Sequence, residues 1–148
     1  MSNHHNVFFS PMTGNDAEDV LALYRGYMRT GQTAARIAHL ASDYPAFKAT
    51  LGNTLVGFCY SNSFAPDVLE LCNIYVDHRQ HNLGIGSELI RLVHQAAIVD
   101  GFSAMILSNS QLYETLLPKR DPRSFYERHG YTVLLETPKT LIYSRALP

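Results

Sequence analysis

A strand, a glycine-rich turn and a helix follow one another in the middle of this chain, and this succession constrains the fold more than any other feature. Residues 69–76 have the apolar character of a strand, and residues 87–100 carry apolar side chains at helical spacing. Between them lies a Gly-x-Gly at positions 84 and 86. Glycines at a helix N-terminus leave backbone N–H groups accessible, and the helix dipole adds partial positive charge there. The succession therefore predicts a cradle for phosphate or pyrophosphate.

The pattern along the whole chain predicts a mixed α/β fold in a single domain, residues 1–148. The predicted strands are 7–11, 46–51, 54–60, 69–76, 104–107, 131–135 and 141–145, and the predicted helices are 16–28, 33–42, 87–100 and 122–129. The strand–helix–strand unit in the middle predicts one parallel pair inside a mixed sheet. Residues 61–67 are predicted to form a loop. Alternation along the strand 69–76 predicts that Glu70, Cys72, Ile74 and Val76 share one face.

Composition excludes several classes of protein. A formal net charge of −1 argues against a nucleic-acid partner, because proteins that bind nucleic acids usually carry a basic face. No run approaches the ~18 apolar residues of a membrane helix. The first residues lack a signal-peptide core, so we expect a cytoplasmic protein. Cys59 and Cys72 are expected to be reduced and buried, nearly opposite each other on paired strands. His94 and His129 are expected to be solvated helix residues, and no residue spacing indicates a metal site.

Two segments resemble one known family. Residues 76–86, Val-Asp-His-Arg-Gln-His-Asn-Leu-Gly-Ile-Gly, resemble motif A of the GNAT superfamily of N-acetyltransferases, which binds the pyrophosphate of acetyl-CoA. The family consensus is Gln/Arg-x-x-Gly-x-Gly/Ala, and His81 stands where Gln or Arg is usual. Residues 125–131, Phe-Tyr-Glu-Arg-His-Gly-Tyr, resemble a second family segment, whose Tyr often serves as a general acid. The resemblance implies the GNAT fold, a central mixed sheet of about six or seven strands flanked by about four helices.

The resemblance also implies a co-substrate and site residues. Acetyl-CoA is the implied co-substrate, with no metal. The implied residues that bind it are Ile74, Val76, His81, Asn82, Leu83, Gly84, Ile85, Gly86 and Ser87. Tyr126 is the implied acid that protonates the leaving thiolate, and Glu70 is the candidate base for the acceptor amine. Other interpretations stay open: Tyr126 as a packing aromatic, Glu70 as a solvent-facing charge, and Asp67 or a water relay as the base.

The function implied is transfer of acetyl from acetyl-CoA to a primary amine, by direct attack in a ternary complex. The acceptor is a small molecule or a peptide. Two alternatives are a non-catalytic acyl-CoA sensor or interaction module, and a toxin that acetylates aminoacyl-tRNA. Homodimers are common in the family, which leaves a homodimer open. The connection 108–120 is longer than in most members, which favours a substrate-shaping element beside the site.

Overall fold

The structure is a computed structural model that describes residues 6–25, 31–80, 83–110 and 123–148. His81, Asn82, the predicted helix end at 26–28 and most of the connection 108–120 lie outside the described residues. The described residues form seven strands and four α-helices, in the predicted order. They are β1 (Val7–Pro11), α1 (Ala17–Arg25), α2 (Ala34–Asp43), β2 (Ala46–Leu51), β3 (Thr54–Ala65), β4 (Val68–Val76), α3 (Ile85–Val99), β5 (Ala104–Ser110), α4 (Arg123–Arg128), β6 (Thr132–Glu136) and β7 (Thr140–Ala146).

All seven strands belong to one sheet in the order β1-β2-β3-β4-β5-β7-β6. Neighbouring strands are antiparallel except β4 and β5, which run parallel and are connected through α3. The prediction of a single parallel pair in a mixed sheet is therefore confirmed. A helix of 15 residues provides the long connection that a parallel pair needs.

Helices cover both faces of the sheet, and each face has its own apolar core. One core packs α3 and α4 against the sheet; among its residues are Leu69, Leu71, Leu89, Val93, Leu107, Tyr126 and Tyr143. The other packs α1 and α2 against the opposite face; among its residues are Val20, Leu21, Ile37, Leu40, Phe58 and Tyr60. The apolar helix face predicted for α3 is confirmed at Leu89 and Val93. Val99, however, is 84% exposed, because it lies on the opposite side of the helix from Ala97, which is fully buried in the core. None of the helices in the described ranges is long and apolar enough to cross a membrane.

The predicted loop at 61–67 is wrong, because β3 continues as a strand to Ala65. Asn62 pairs with Glu70 and Ser63 pairs with Leu69, so the hairpin to β4 turns only at residues 66 and 67. The Ser61 hydroxyl donates a 2.6 Å hydrogen bond to the carbonyl of Pro45. Backbone pairing with β4 outweighs the weak strand propensity of these polar residues.

An irregularity in β4 reverses the predicted alternation of its side chains. Tyr60 pairs with Asn73 while Ser61 pairs with Leu71, which leaves Cys72 as an extra residue in β4. Leu71 before this bulge and Ile74 after it therefore both pack on the α3 face. The prediction that Glu70, Cys72, Ile74 and Val76 share one face is wrong: Ile74 and Val76 pack on the α3 face, whereas Cys72 packs on the α2 face.

The two cysteines are also placed differently from the prediction. Cys59 pairs with Ile74 rather than with Cys72, and the two thiols belong to cores on opposite faces of the sheet. Both are free thiols. Burial raises the pKa of each to about 12, with the charge of Glu70 adding to the effect at Cys72. Neither thiol is therefore ionised at neutral pH, which a nucleophilic role would require.

Candidate active site

The parallel strands β4 and β5 separate part of the way along their length. Their ladder begins at Val68 with Ala104 and ends at Glu70 with Ile106. Both strands, all of whose backbone is described, continue beyond this point while β3 and β7 stay paired to their outer sides. We call the space between the two strands beyond Glu70 and Ile106 the β4–β5 gap. A gap inside a sheet offers strand edges to an extended ligand, as when a peptide adds to a sheet.

The N-terminus of α3 lies at the end of β4, next to this gap. Gly84 is the N-cap, with φ 73° and ψ 12°, a left-handed conformation that favours glycine. Its carbonyl accepts the first bond of the helix from Glu88 at 3.1 Å. A Cβ added at Gly84 would meet no atom of the described residues within 4 Å. Leu83 and Ile85 pack into the core on either side and fix the turn.

A buried carboxylate holds the turn between β4 and α3. Asp77 is 1% exposed, and its N–H donates to the Val56 carbonyl at 2.8 Å. Its carboxylate accepts hydrogen bonds from the Arg79 backbone N–H at 3.1 Å, from Nε at 3.1 Å and from Nη2 at 2.6 Å. This contact with Arg79 holds the pKa of Asp77 below its ordinary value. Asp77 and Arg79 therefore brace the loop that leads into the glycine turn.

The first turn of α3, the end of β4 and α4 meet at Gly86. A Cβ at this position would lie 3.4 Å from the ring of Phe125 and 3.7 Å from Val76 Cγ2. The close approach of Phe125 places α4 over the gap and brings the neighbouring Tyr126 to it. A Cβ at position 86 would thus make ordinary van der Waals contacts with α4 and β4.

Tyr126 is buried, with 8% of its surface exposed. Its ring centre lies 5.1 Å from that of Tyr143 and 5.9 Å from that of Tyr131. A side-chain hydrogen bond joins it to Asn109, which lies on β5 beyond the end of the ladder with β4. Burial raises the pKa of Tyr126 further above its ordinary value. The phenol therefore keeps its proton over the whole physiological range.

Glu70 lies at the point where β4 and β5 separate, on the sheet face opposite Tyr126. Its neighbours Leu69 and Leu71 point into the α3 core, so alternation directs Glu70 toward the α2 face. Tyr126 belongs to the α3 core. A half-buried carboxylate and a buried phenol thus approach the same opening from the two sides of the sheet.

The two histidines predicted to be solvated are both engaged in contacts. His94 is 5% exposed; its Nε2 lies 2.7 Å from the Tyr131 hydroxyl, and its Nδ1 contacts the Arg145 guanidinium. His129 is half-buried, and its Nε2 lies 3.0 Å from the hydroxyl of Ser87 in the first turn of α3. Helical periodicity does not indicate these contacts because each histidine and its partners lie far apart in the chain.

Sequence reasoning missed the contact between Tyr126 and Asn109. Asn109 follows Met105 and Leu107 on the same face of β5, so strand alternation was the signal that could have placed it in this core. Within the described residues, no group of three or more His, Cys, Asp or Glu side chains is placed to hold a metal ion.

Comparisons with known proteins agree with this geometry. A family model described as "Acetyltransferase (GNAT) domain" matches residues 42–133. A search of curated sequences finds no significant match. Among solved structures with a similar fold, Ard1 from Thermoplasma volcanium has a TM-score of 0.78 and 16% identity, over 97% of this chain and 99% of that chain. The PaiA N-acetyltransferase from Thermoplasma acidophilum, in complex with coenzyme A, has a TM-score of 0.75 and 16% identity, over 99% of each chain. The ribosomal-protein-S18-alanine N-acetyltransferase from Escherichia coli has a TM-score of 0.76 and 15% identity, over 95% of this chain and 94% of that chain.

At these identities the structural similarity establishes the fold alone. The family model, in contrast, matches the sequence itself over more than half of the chain, from the end of α2 into β6. The match includes the glycine turn, the β4–β5 gap and Tyr126. This chain is therefore a member of the GNAT family of acetyltransferases.

Proposed function

We propose that this protein transfers an acetyl group from acetyl-CoA to a primary amine, by direct attack within a ternary complex. The observation that carries the proposal is the β4–β5 gap, with the phenol of Tyr126 on one side and the carboxylate of Glu70 on the other. An acyl donor lying in the gap would be reached by a proton donor from the α3 face and by an amine from the α2 face. Both reactants can then be bound at once, as direct transfer requires.

The residues around the gap suit a long, extended donor with a charged end. The β4 backbone at Ile74 and Val76 would hold the pantetheine arm, as an added strand would be held. The pyrophosphate would lie on the turn from Leu83 to Ser87, at a helix N-terminus. Glu88 is the acidic residue in this first helical turn, and Arg91 neutralises it through two hydrogen bonds of 2.6 and 2.7 Å. His81 and Asn82 belong to the same proposed site.

Two side chains would carry the proton transfers. Glu70 would accept a proton from the acceptor ammonium, which frees the nitrogen lone pair. The nitrogen would attack the thioester carbonyl carbon, so that a C–N bond forms, the C–S bond breaks and the amine's remaining excess proton is lost to water. A backbone N–H near Val76 would stabilise the negative charge that develops on the carbonyl oxygen. Tyr126 would donate its proton to the leaving sulfur.

Replacing Tyr126 with Phe tests the acid. The ring stays packed against Tyr143 and Tyr131 while the proton donor is lost. We expect kcat to fall about a hundredfold with little change in KM for acetyl-CoA. Tyr143→Phe is the matched control, since it removes a hydroxyl from a neighbouring buried ring without touching the proposed acid. Equal kcat values for the Tyr126 variant and the wild type would remove Tyr126 from the mechanism.

Replacing Glu70 with Gln tests the base. The variant keeps the size of the side chain but cannot accept a proton from the amine. We expect kcat/KM for the acceptor to fall at neutral pH and to recover partly at high pH, where the free amine is abundant. Asp67→Asn, which removes the other nearby carboxylate, is the control and is expected to behave as the wild type. If the Asp67 variant loses activity and the Glu70 variant does not, Asp67 is the base.

A further inference from the structure

Two opposite charges lie on the α2 face of the sheet beside the β4–β5 gap. Ile37 in the first half of α2 is buried in the same core as Tyr60 and Cys72. Its neighbour Arg36 is close enough for its charge to act on the Tyr60 hydroxyl and on the Cys72 thiol. The charge of Glu70 acts on the same thiol from β4. A cation and an anion therefore flank the bulge at Cys72.

Neither charge is neutralised by a partner in the described ranges. The ion pairs there join other residues, and neither Arg36 nor Glu70 takes part in one. Arg36 is exposed, and Glu70 is half-buried. Because Arg36 and Glu70 do not form an ion pair with each other, both charges are available to a ligand that lies between them.

Neutral hydrogen-bonding groups lie on β3 and β4 near the two charges. The Asn73 side-chain amide donates to the hydroxyl of the buried Tyr60 over 3.5 Å, and the half-buried, un-ionised Cys72 thiol lies in the bulge. On the helix side, Thr33 caps α2 by accepting a 3.2 Å hydrogen bond from the Arg36 N–H, which fixes Arg36 in the first turn. This part of the sheet face is thus polar, with the positive charge of Arg36 on the α2 side and the negative charge of Glu70 at the β4–β5 gap.

We propose that the acceptor is a free amino acid, whose carboxylate binds Arg36 while its ammonium group meets Glu70. A guanidinium forms paired hydrogen bonds with a carboxylate, and Glu70 lies at the gap where the proposed transfer takes place. The amine end of such a ligand therefore faces the acyl donor. An amine that lacks a nearby carboxylate leaves Arg36 without a partner. This inference rests on the proposed function for the direction of transfer, although binding itself can be measured separately.

The first test measures binding without turnover. Thermal unfolding in the presence of CoA compares leucine, phenylalanine, glutamate and lysine, each as the free amino acid and as its C-terminal amide. We expect at least one amino acid to bind about tenfold to a hundredfold more tightly than its amide, the range of a charge-assisted hydrogen bond. Arg36→Gln should abolish this difference, Arg36→Lys should restore part of it, and Lys139→Gln, which removes a charge from the β6–β7 hairpin, should leave it unchanged.

The second test follows CoA release with the same pairs of acceptors. The amide has the more readily deprotonated amine, so simple nucleophilicity would favour it, whereas recognition by Arg36 favours the free acid. Equal binding of acid and amide, or a preference for the acid that survives in Arg36→Gln, would overturn this inference even if acetyl transfer occurs. Arg36-dependent binding of amino acids without any CoA release would support the inference and would instead contradict the proposed function.

Discussion

At the scale of single residues, His94 is the buried ionisable group with the most consequence for stability. Because Nδ1 accepts from the Arg145 guanidinium, Nε2 carries the proton and donates to the Tyr131 hydroxyl at 2.7 Å. That hydroxyl in turn donates to the Met105 sulfur over 3.7 Å. Burial, and then the charge of Arg145, lower the pKa of His94 to about 4. The histidine is therefore neutral in the folded protein.

This pKa predicts how stability changes with pH. An unfolded histidine titrates near 6.5, so between about pH 6.5 and pH 4 the unfolded chain binds a proton that the folded chain does not. The contribution of His94 is therefore complete above pH 6.5 and is lost as the pH falls toward 4, by about 2 to 3 kcal/mol. His94→Gln keeps a donor and an acceptor but does not titrate. Urea unfolding of both proteins from pH 8 to pH 4.5 should show the wild type losing more of its free energy of unfolding than the variant as the pH falls. If the free energies of unfolding of the two proteins change in parallel with pH, the assignment is contradicted.

At the scale of elements, the turn between β4 and α3 depends on one backbone conformation. Gly84 has a positive φ, which costs a residue with a Cβ about 1 to 2 kcal/mol. Gly84→Ala should therefore lower the free energy of unfolding by about 1 kcal/mol, although its Cβ meets no atom of the described residues within 4 Å. Gly84→Asn should cost less, because Asn tolerates this conformation. Gly86→Ala is the control, since its Cβ would make an ordinary 3.4 Å contact with Phe125. If urea unfolding shows that both Ala variants lose the same free energy of unfolding, the strain argument is refuted.

The elements also show which parts of the fold the sequence determines locally. The turn before α3 could be predicted because its glycines, its strand and its helix are adjacent in the chain. The bulge at Cys72 could not be predicted, since it is a shift in the register of β4 against β3, which the local sequence of β4 does not reveal. For the same reason the prediction that Glu70 shares a strand face with Val76 is wrong, because the bulge lies between the two residues. The extension of β3 to Ala65 depends on pairing with β4, which local propensity does not report.

In the candidate site, too, the features carried by short segments could be predicted, and the contacts between distant residues could not. Tyr126 and the glycine turn could be identified because short segments carry them. The hydrogen bond of Tyr126 to Asn109, and the contact of Ser87 with His129, join residues far apart in the chain. Such contacts are fixed by how α4 packs on α3 and β5, and no local pattern encodes that packing.

At the scale of the whole molecule, the β4–β5 gap separates the sheet into two halves over part of its length. β1 to β4 lie on one side of it and β5 to β7 on the other, joined across the sheet by only the first three pairs of the parallel ladder. A ligand that fills the gap would contact strands from both halves and the N-terminus of α3. Binding of that kind stabilises the folded state in proportion to the logarithm of ligand concentration over Kd. The ligand that fits should therefore raise the melting temperature of the whole domain.

The central claim, that the gap and the glycine turn together bind acetyl-CoA, is tested most directly by thermal unfolding with acetyl-CoA, CoA and NAD in parallel. NAD is the control because it carries a pyrophosphate but no pantetheine arm. We expect acetyl-CoA and CoA at about one hundred times Kd to stabilise the fold by about 2.7 kcal/mol, a shift of roughly 5 to 10 °C, and NAD to leave it unchanged. Melting curves that neither acetyl-CoA nor CoA moves, or that NAD moves equally, would contradict the claim.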